Sequence, residues 1–178
     1  MNKKKLVTEM GRIDRDAFAQ SQKLPLVVVL DNVRSLHNVG SVFRTSDAFR
    51  VECIMLCGIT ATPPSAEIHK TALGAEDVVD WKYYESTMDA VAELRSQGYR
   101  IYSIELCQGS IALQDFVTAP GERYAVVLGN EVKGVQQDVV DASDGAIEIP
   151  QFGTKHSLNV SVTAGMVIWE FANKLGLV

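Results

Sequence analysis

The sequence predicts an α/β domain in which a mostly parallel sheet is flanked by helices. Short apolar, β-branched runs alternate with longer segments of helical period, and polar clusters rich in glycine and asparagine follow several of those runs. With 178 residues, 47% hydrophobic and 22% charged, the chain has enough apolar surface for one buried core and lies outside the compositions that stay unfolded.

Taken in order, Leu24 to Leu30 is nearly all apolar and reads as a buried strand. Asn38 to Phe49 carries Val39, Val42, Phe43, Ala48 and Phe49 at spacings that suit a short helix, and Val51 to Cys57 is a second strand. Gly58 to Glu67 contains the pair Pro63-Pro64 and reads as an exposed loop. Val78 to Tyr84 suits a short strand, and Ser86 with Asp89 resembles a capping pair that opens a helix running to about Gln97. Arg100 to Leu106 and Tyr124 to Leu128 are further strands, the second followed by a turn over Gly129 to Gly134 and a helix over Val135 to Ala142. Ala146 to Ile149 is a last strand, ended by Pro150. Ser157 to Leu175 then places Leu158, Val162, Met166, Ile168, Trp169 and Phe171 as a long helix would.

The 17 basic side chains against 22 acidic ones leave a formal charge of −5, which argues against a broad electropositive surface. The distribution is uneven. Lys3, Lys4, Lys5, Arg12 and Arg15 face only Glu9 and Asp14 in the first fifteen residues, whereas residues 76 to 93 are strongly acidic. Short charge blocks of this kind are commonly solvated tails. Cys53, Cys57 and Cys107 are odd in number, lie in apolar runs and lack histidine partners at zinc spacing, so the expected setting is reducing and cytoplasmic, with no metal. No apolar stretch of about 18 residues suggests a membrane span.

Several chemistries lack their signatures. There is no Gly-x-Gly-x-x-Gly after the first strand, no phosphate-binding Gly-x-x-x-x-Gly-Lys-Ser/Thr loop, no close His or Cys pair and no Gly-x-Ser-x-Gly elbow. Three polar clusters remain, each after a predicted buried strand, which is where open α/β sheets bind ligands. They are Asn38-Val39-Gly40-Ser41-Val42-Phe43-Arg44, then Leu128-Gly129-Asn130-Glu131-Val132-Lys133-Gly134, and last Ile147-Glu148-Ile149-Pro150 leading to Ser157-Leu158-Asn159-Val160-Ser161.

In this order and near these separations, the clusters resemble the three motifs of the SpoU (TrmH-like) branch of the SPOUT RNA 2′-O-ribose methyltransferases, over about Leu24 to Leu175. The resemblance implies a domain over residues 24–178 with a C-terminal deep trefoil knot, preceded by a basic extension over residues 1–23. It implies S-adenosylmethionine as methyl donor, RNA as substrate, and a homodimer with the long last helix in its interface and each site completed by the partner. Trp169 and Phe171 suit such a patch, although burial within one chain explains them equally well.

Residue by residue, Arg44 matches the family's catalytic arginine. A guanidinium normally stays protonated, so orientation of a substrate phosphate and stabilisation of the developing alkoxide are favoured over literal base catalysis, which stays open. Asn38, six residues before Arg44, matches the first motif's asparagine and also reads as a helix N-cap. Glu131 matches the second motif's glutamate, expected to orient Arg44 or a backbone amide of the site. Asn159 and Ser157 match the third motif and would contact substrate or position the donor; Ser157 also reads as the cap of the last helix, with Asn159 in its first turn. The donor's pocket is implied among Ile104, Leu128, Gly129, Asn130, Gly134, Ile149, Ser157 and Leu158, with Gly129 and Gly134 letting the chain approach the ligand closely.

RNA phosphate contacts are expected from Lys3, Lys4, Lys5, Arg12, Arg15, Arg34 and Arg44, with Arg50 nearby. Structured tRNA is the first expectation for substrate and ribosomal RNA the second. Two other classes stay open at this stage: an RNA-binding protein of the same fold that lacks catalysis, and a small-molecule α/β enzyme with an unrelated nucleotide ligand.

Overall fold

The computed structural model describes residues 2–155 and 157–178. Seven strands, β1 (Leu24–Asp31), β2 (Val51–Cys57), β3 (Trp81–Tyr84), β4 (Tyr99–Ile104), β5 (Ile111–Ala112), β6 (Arg123–Leu128) and β7 (Gly145–Glu148), form one sheet in the order β3-β2-β1-β6-β4-β7-β5. Every pairing is parallel, so all strands end on the same edge. Among the described residues six α-helices accompany them: α1 (Arg15–Gln20), α2 (Leu36–Ala48), α3 (Ala66–Ala72), α4 (Thr87–Ser96), α5 (Gln137–Ala142) and α6 (Val160–Lys174). None of these is long and apolar enough to cross a membrane.

Alternation along the central strands divides the core into two layers. Leu26, Val28 and Leu30 of β1 with Val126 and Leu128 of β6 pack against Val39, Val42 and Phe43 of α2 and against Ala164, Ile168 and Phe171 of α6. Val27, Val29, Ala125 and Val127 point to the opposite face and meet Ala90, Val91 and Leu94 of α4 and Val139 of α5. Both faces of β1 and β6 are therefore covered, which is why their sequences read as unbroken apolar runs.

The chain runs outward from β1 through β2 to β3, then returns to the other side of β1 for β4, with β6 inserted between them. The reversal makes a topological switch point at the carboxyl ends of β1, β6 and β4. Those ends are level: Leu30 pairs with Leu128, Leu128 with Ile104, and Ile104 with Ile147.

Several boundaries differ from the sequence expectation, and capping explains the main ones. Helix α2 begins at Leu36 because the Ser35 side chain accepts from the Asn38 amide, so Asn38 lies in the first turn and is not the cap. Helix α6 begins at Val160 because Asn159 accepts from the amides of Ser161 and Val162; Asn159, not Ser157, is its cap. Strand β3 is confined to Trp81–Tyr84, since a short 3-10 turn over Ala75–Asp77 precedes it. Three elements lack a strong sequence signature: α1, capped by Asp14, α3, capped by Ser65 just past the proline pair, and the two-residue β5. Phe18 of α1 is buried in the main core, so the basic extension is anchored there.

Glycine 40 of the first motif has a packing role. An added Cβ would lie 2.2 Å from Thr71 Oγ1 and 2.3 Å from the Ile68 carbonyl oxygen, where α2 crosses α3. Gly40→Ala is expected to lower unfolding stability by about 1–3 kcal/mol through overpacking, measured as a shift of the urea midpoint at unchanged slope.

Candidate active site

Because the strands are parallel, the loops after β1, β6, β4 and β7 emerge side by side. Over the last three lies a cavity of about 450 Å³, within the range of roughly 300–1,000 Å³ common for small-ligand sites. Its walls include Ile104, Leu128, Gly129, Asn130, Gly134, Ile149, Ser157 and Leu158, so the structure brings together every residue that the sequence assigns to the donor.

The loop of the second motif is closed by backbone. Asn130 and Gly134 exchange amide-to-carbonyl bonds of 3.0 and 2.9 Å. Gly129 permits this closure: a Cβ there would stand 2.1 Å from the Gly134 carbonyl carbon and 2.2 Å from the Val135 nitrogen. Gly134 adopts φ +69°, and its own Cβ would meet the Glu105 carboxylate. The two glycines thus allow the chain to approach itself. A larger residue at position 129 would spread the loop before it filled the cavity. The Asn130 carboxamide braces the same loop, donating to the Asn32 carbonyl at 2.8 Å and accepting from the amides of Val132 and Lys133.

Glu131 joins this loop to the first motif. Its carboxylate accepts from the backbone amides of Arg34 at 2.9 Å and Ser35 at 3.0 Å and from the Asn38 side-chain amide at 3.1 Å. Asn38 carries the connection onward, since its Oδ1 accepts from Asn159 Nδ2 at 3.2 Å and from the Ser161 hydroxyl at 3.4 Å. Two side chains therefore stitch the start of α2 to the loop of the second motif, 93 to 97 residues away, and to the start of α6, 121 to 123 residues away. Of the two partners expected for Glu131, the backbone amides are found and Arg44 is not.

Partial burial works to raise the Glu131 carboxyl pKa, but the amides of Arg34, Ser35 and Glu131 itself, with Asn38, outweigh it and hold the group below its ordinary value. Cys53 and Cys57 are pushed up to about 12 by burial, which leaves both thiols protonated at neutral pH and unsuited to nucleophilic work.

Arg44 lies elsewhere in the single chain. It is exposed and lines a separate open groove of about 740 Å³ with Arg12, Arg15, Arg50, Asp14 and Asp47. Lys3, Lys4, Lys5 and Arg34 are exposed, while Arg15 pairs with Asp77 at 3.0 Å. Phe171 is wholly buried and leaves the expected surface patch; Trp169 is half exposed and packs edge-on against Phe49.

Sequence reasoning missed Glu105 and Glu148, which line the cavity together with Glu131, against Lys133 as the one cationic side chain among the described lining residues. Glu105 Oε2 accepts from the Val135 amide at 3.0 Å and so fixes the exit of the second motif's loop. Glu148 accepts from the Ser110 hydroxyl. A lone acid at a strand end carries no pattern that would have marked either. The buried Asp31 was also unmarked: it accepts from Thr87 and from both the amide and the side chain of Gln136, holding α4 and the start of α5 beside the cavity. An acid-lined cavity with apolar walls suits a ligand that combines a cationic centre with a flat apolar ring. Among the described residues no group of three or more His, Cys, Asp or Glu side chains could hold a metal ion.

Comparison with known proteins gives a consistent result. The model of the SpoU rRNA Methylase family matches residues 25–169. A putative TrmH family tRNA/rRNA methyltransferase of Staphylococcus haemolyticus is 32% identical over 173 residues, 95% of this chain and 68% of that protein. The tRNA (guanosine(18)-2′-O)-methyltransferase of Aquifex aeolicus is 30% identical over 158 residues, 88% of this chain and 72% of that protein. Among solved structures, the AdoMet-bound rRNA methyltransferase from Sinorhizobium meliloti superposes with a TM-score of 0.79 at 27% identity, covering 90% of this chain and 60% of the other. The chain spans roughly two thirds of the length of the curated relatives it matches.

The depressed carboxyl pKa of Glu131 fixes the sign of a pH effect. Its stabilisation is present above the ordinary glutamate pKa and is lost as the pH falls through the lower folded-state value. Glu131→Gln should therefore cost about 1 kcal/mol at pH 7, solvent screening keeping the figure small, and the deficit should close in acid. Urea unfolding of both proteins across that pH range measures it.

Proposed function

The chain belongs to the SpoU rRNA methylase family, and from that premise we propose that it is an RNA 2′-O-ribose methyltransferase that uses S-adenosylmethionine. The observation that carries the reading is the convergence of the three motifs through Glu131 and Asn38 beside an acid-lined cavity. Structured tRNA is the first substrate and ribosomal RNA the second; relatives named for each are similar to this chain. The setting is cytoplasmic, in keeping with three free thiols.

When bound, S-adenosylmethionine supplies an activated methyl group, so the protein's task is alignment. Leu128, Ile149 and Leu158 offer apolar walls for the adenine, and Glu105, Glu131 and Glu148 give a negative surround suited to a sulfonium. Asn159 and Ser161, held by Asn38, sit at the N-terminal end of α6 and offer polar groups to the ribose. Arg44 binds a substrate phosphate and stabilises the negative charge that develops on the 2′-oxygen.

In one chain Arg44 belongs to a different groove, and this supports the homodimer: the arginine of one copy completes the cavity of the other. Val162, Met166 and Trp169 support it further, since they form a half-exposed apolar stripe at spacings of four and three along α6. Lys3, Lys4, Lys5 and Arg12 would then extend the phosphate-binding surface around Arg44. The same reading includes the trefoil knot, the C-terminal segment passing through a loop formed by the second and third motifs.

The direct test is transfer of tritium from labelled S-adenosylmethionine to RNA from cells lacking this protein, followed by alkaline hydrolysis. Alkali-resistant labelled dinucleotides support ribose methylation; label on bases or none at all contradicts it. Arg44→Ala should lower the rate by at least about a hundredfold while calorimetry finds donor affinity within twofold of the parent. Equal loss of both would reassign Arg44 to the donor site.

A further inference from the structure

The segment that follows the Ile-Glu-Ile-Pro strand end presents one aromatic ring to solvent. Phe152 is 97% exposed, the highest value for any large apolar side chain among the described residues. Its neighbour Gln151 lines the cavity, so the exposed ring lies one residue from the cavity wall. On the second motif's side of the same cavity lie Val132, 77% exposed, and Lys133. Lys155 follows Phe152 by three residues. Neither lysine has an ion-pair partner among the described residues.

We propose that Phe152 is a stacking platform for a nucleobase of the RNA substrate, with Lys133 and Lys155 taking the neighbouring phosphates. The proposal rests on the RNA methyltransferase reading above. A ribose delivered to this cavity must leave the regular helix, and its unstacked base then needs an apolar surface close by. A free aromatic ring with unpaired lysines on its own segment and on the second motif's side of the cavity has that chemistry: the ring takes the face of any base and the lysines take the backbone charge. A second copy of the chain is the weaker fit, because Gln151, Gly153, Thr154 and Lys155, the ring's neighbours along the chain, carry no apolar side chain to extend it into a patch. Stacking tolerates every base, so Phe152 contributes affinity for an extruded nucleotide and leaves base identity to other contacts.

Methyl transfer to RNA from cells lacking this protein tests the assignment in the full-length protein. Phe152→Ala should raise the apparent KM for RNA by about tenfold, the size of one lost base–aromatic stack. Its kcat, its affinity for S-adenosylmethionine by calorimetry and its mass in solution should match the parent, and Phe152→Trp should restore KM. An unchanged KM, a Trp variant no better than Ala, a weakened donor affinity, or a change of mass that assigns the ring to a second copy would each overturn the proposal. Phe152→Trp also gives a readout independent of catalysis: a short single-stranded oligoribonucleotide should quench its added emission relative to the parent. If the parent transfers no methyl group to RNA, the methyltransferase reading fails; quenching in that case still sustains the stacking site, and its absence removes it.

Discussion

The carboxylate of Glu131 accepts two backbone amides at the entrance to α2 and one side-chain amide from Asn38, while Asn38 accepts from Asn159 and Ser161 at the start of α6. The meeting of the three motifs at the carboxyl edge of the sheet depends on that pair. Charge-assisted bonds to backbone amides are stronger than neutral ones, and they hold the Glu131 carboxyl below its ordinary pKa against the upward push of partial burial. The cavity floor comes from strand ends; its shape comes from loops that would otherwise have no reason to stay together.

The sheet makes the arrangement cheap to build. Level, parallel ends of β1, β6, β4 and β7 bring distant segments within hydrogen-bonding reach without long excursions. Asn130 and Asp31 then fix the loops locally, the first by bonding across to the Asn32 carbonyl, the second by tying Gln136 and Thr87 to the end of β1. Two motif glycines contribute in the same sense. Gly129 lets a loop close on itself and Gly40 lets two helices touch, so both support the site from behind.

The central strands and the cavity residues are legible in the sequence for different reasons. Leu24 to Leu30 is legible because a strand covered on both faces must be apolar throughout, and only the boundary shifts by a residue. Ile104, Leu128, Ile149 and Leu158 read as core by composition, and the motif resemblance alone marks them as walls of a cavity. Helix starts are less legible where two capping residues compete: Ser35 and Asn159 hold the caps of α2 and α6, and the difference decides that Asn38 is free to bond across to Glu131. The location of Arg44 was not legible. Its spacing from Asn38 says that both lie on α2, but the face each presents depends on how α2 packs against α3 and α6. The acids Glu105, Glu148 and Asp31 escape notice because a single carboxylate at a strand end looks the same whether it faces solvent, a cavity or a buried amide.

The coupling between the first and second motifs is the claim most exposed to measurement. A double-mutant cycle on Asn38→Ala and Glu131→Ala, read as affinity for S-adenosylmethionine by calorimetry, isolates it. If the two side chains hold one cavity together, the double variant loses much less than the sum of the single losses, with a coupling of about 1 kcal/mol or more. Strict additivity, or single variants that bind the donor as the parent does, would mean that the cavity is held by other contacts and that the stitching described here is incidental.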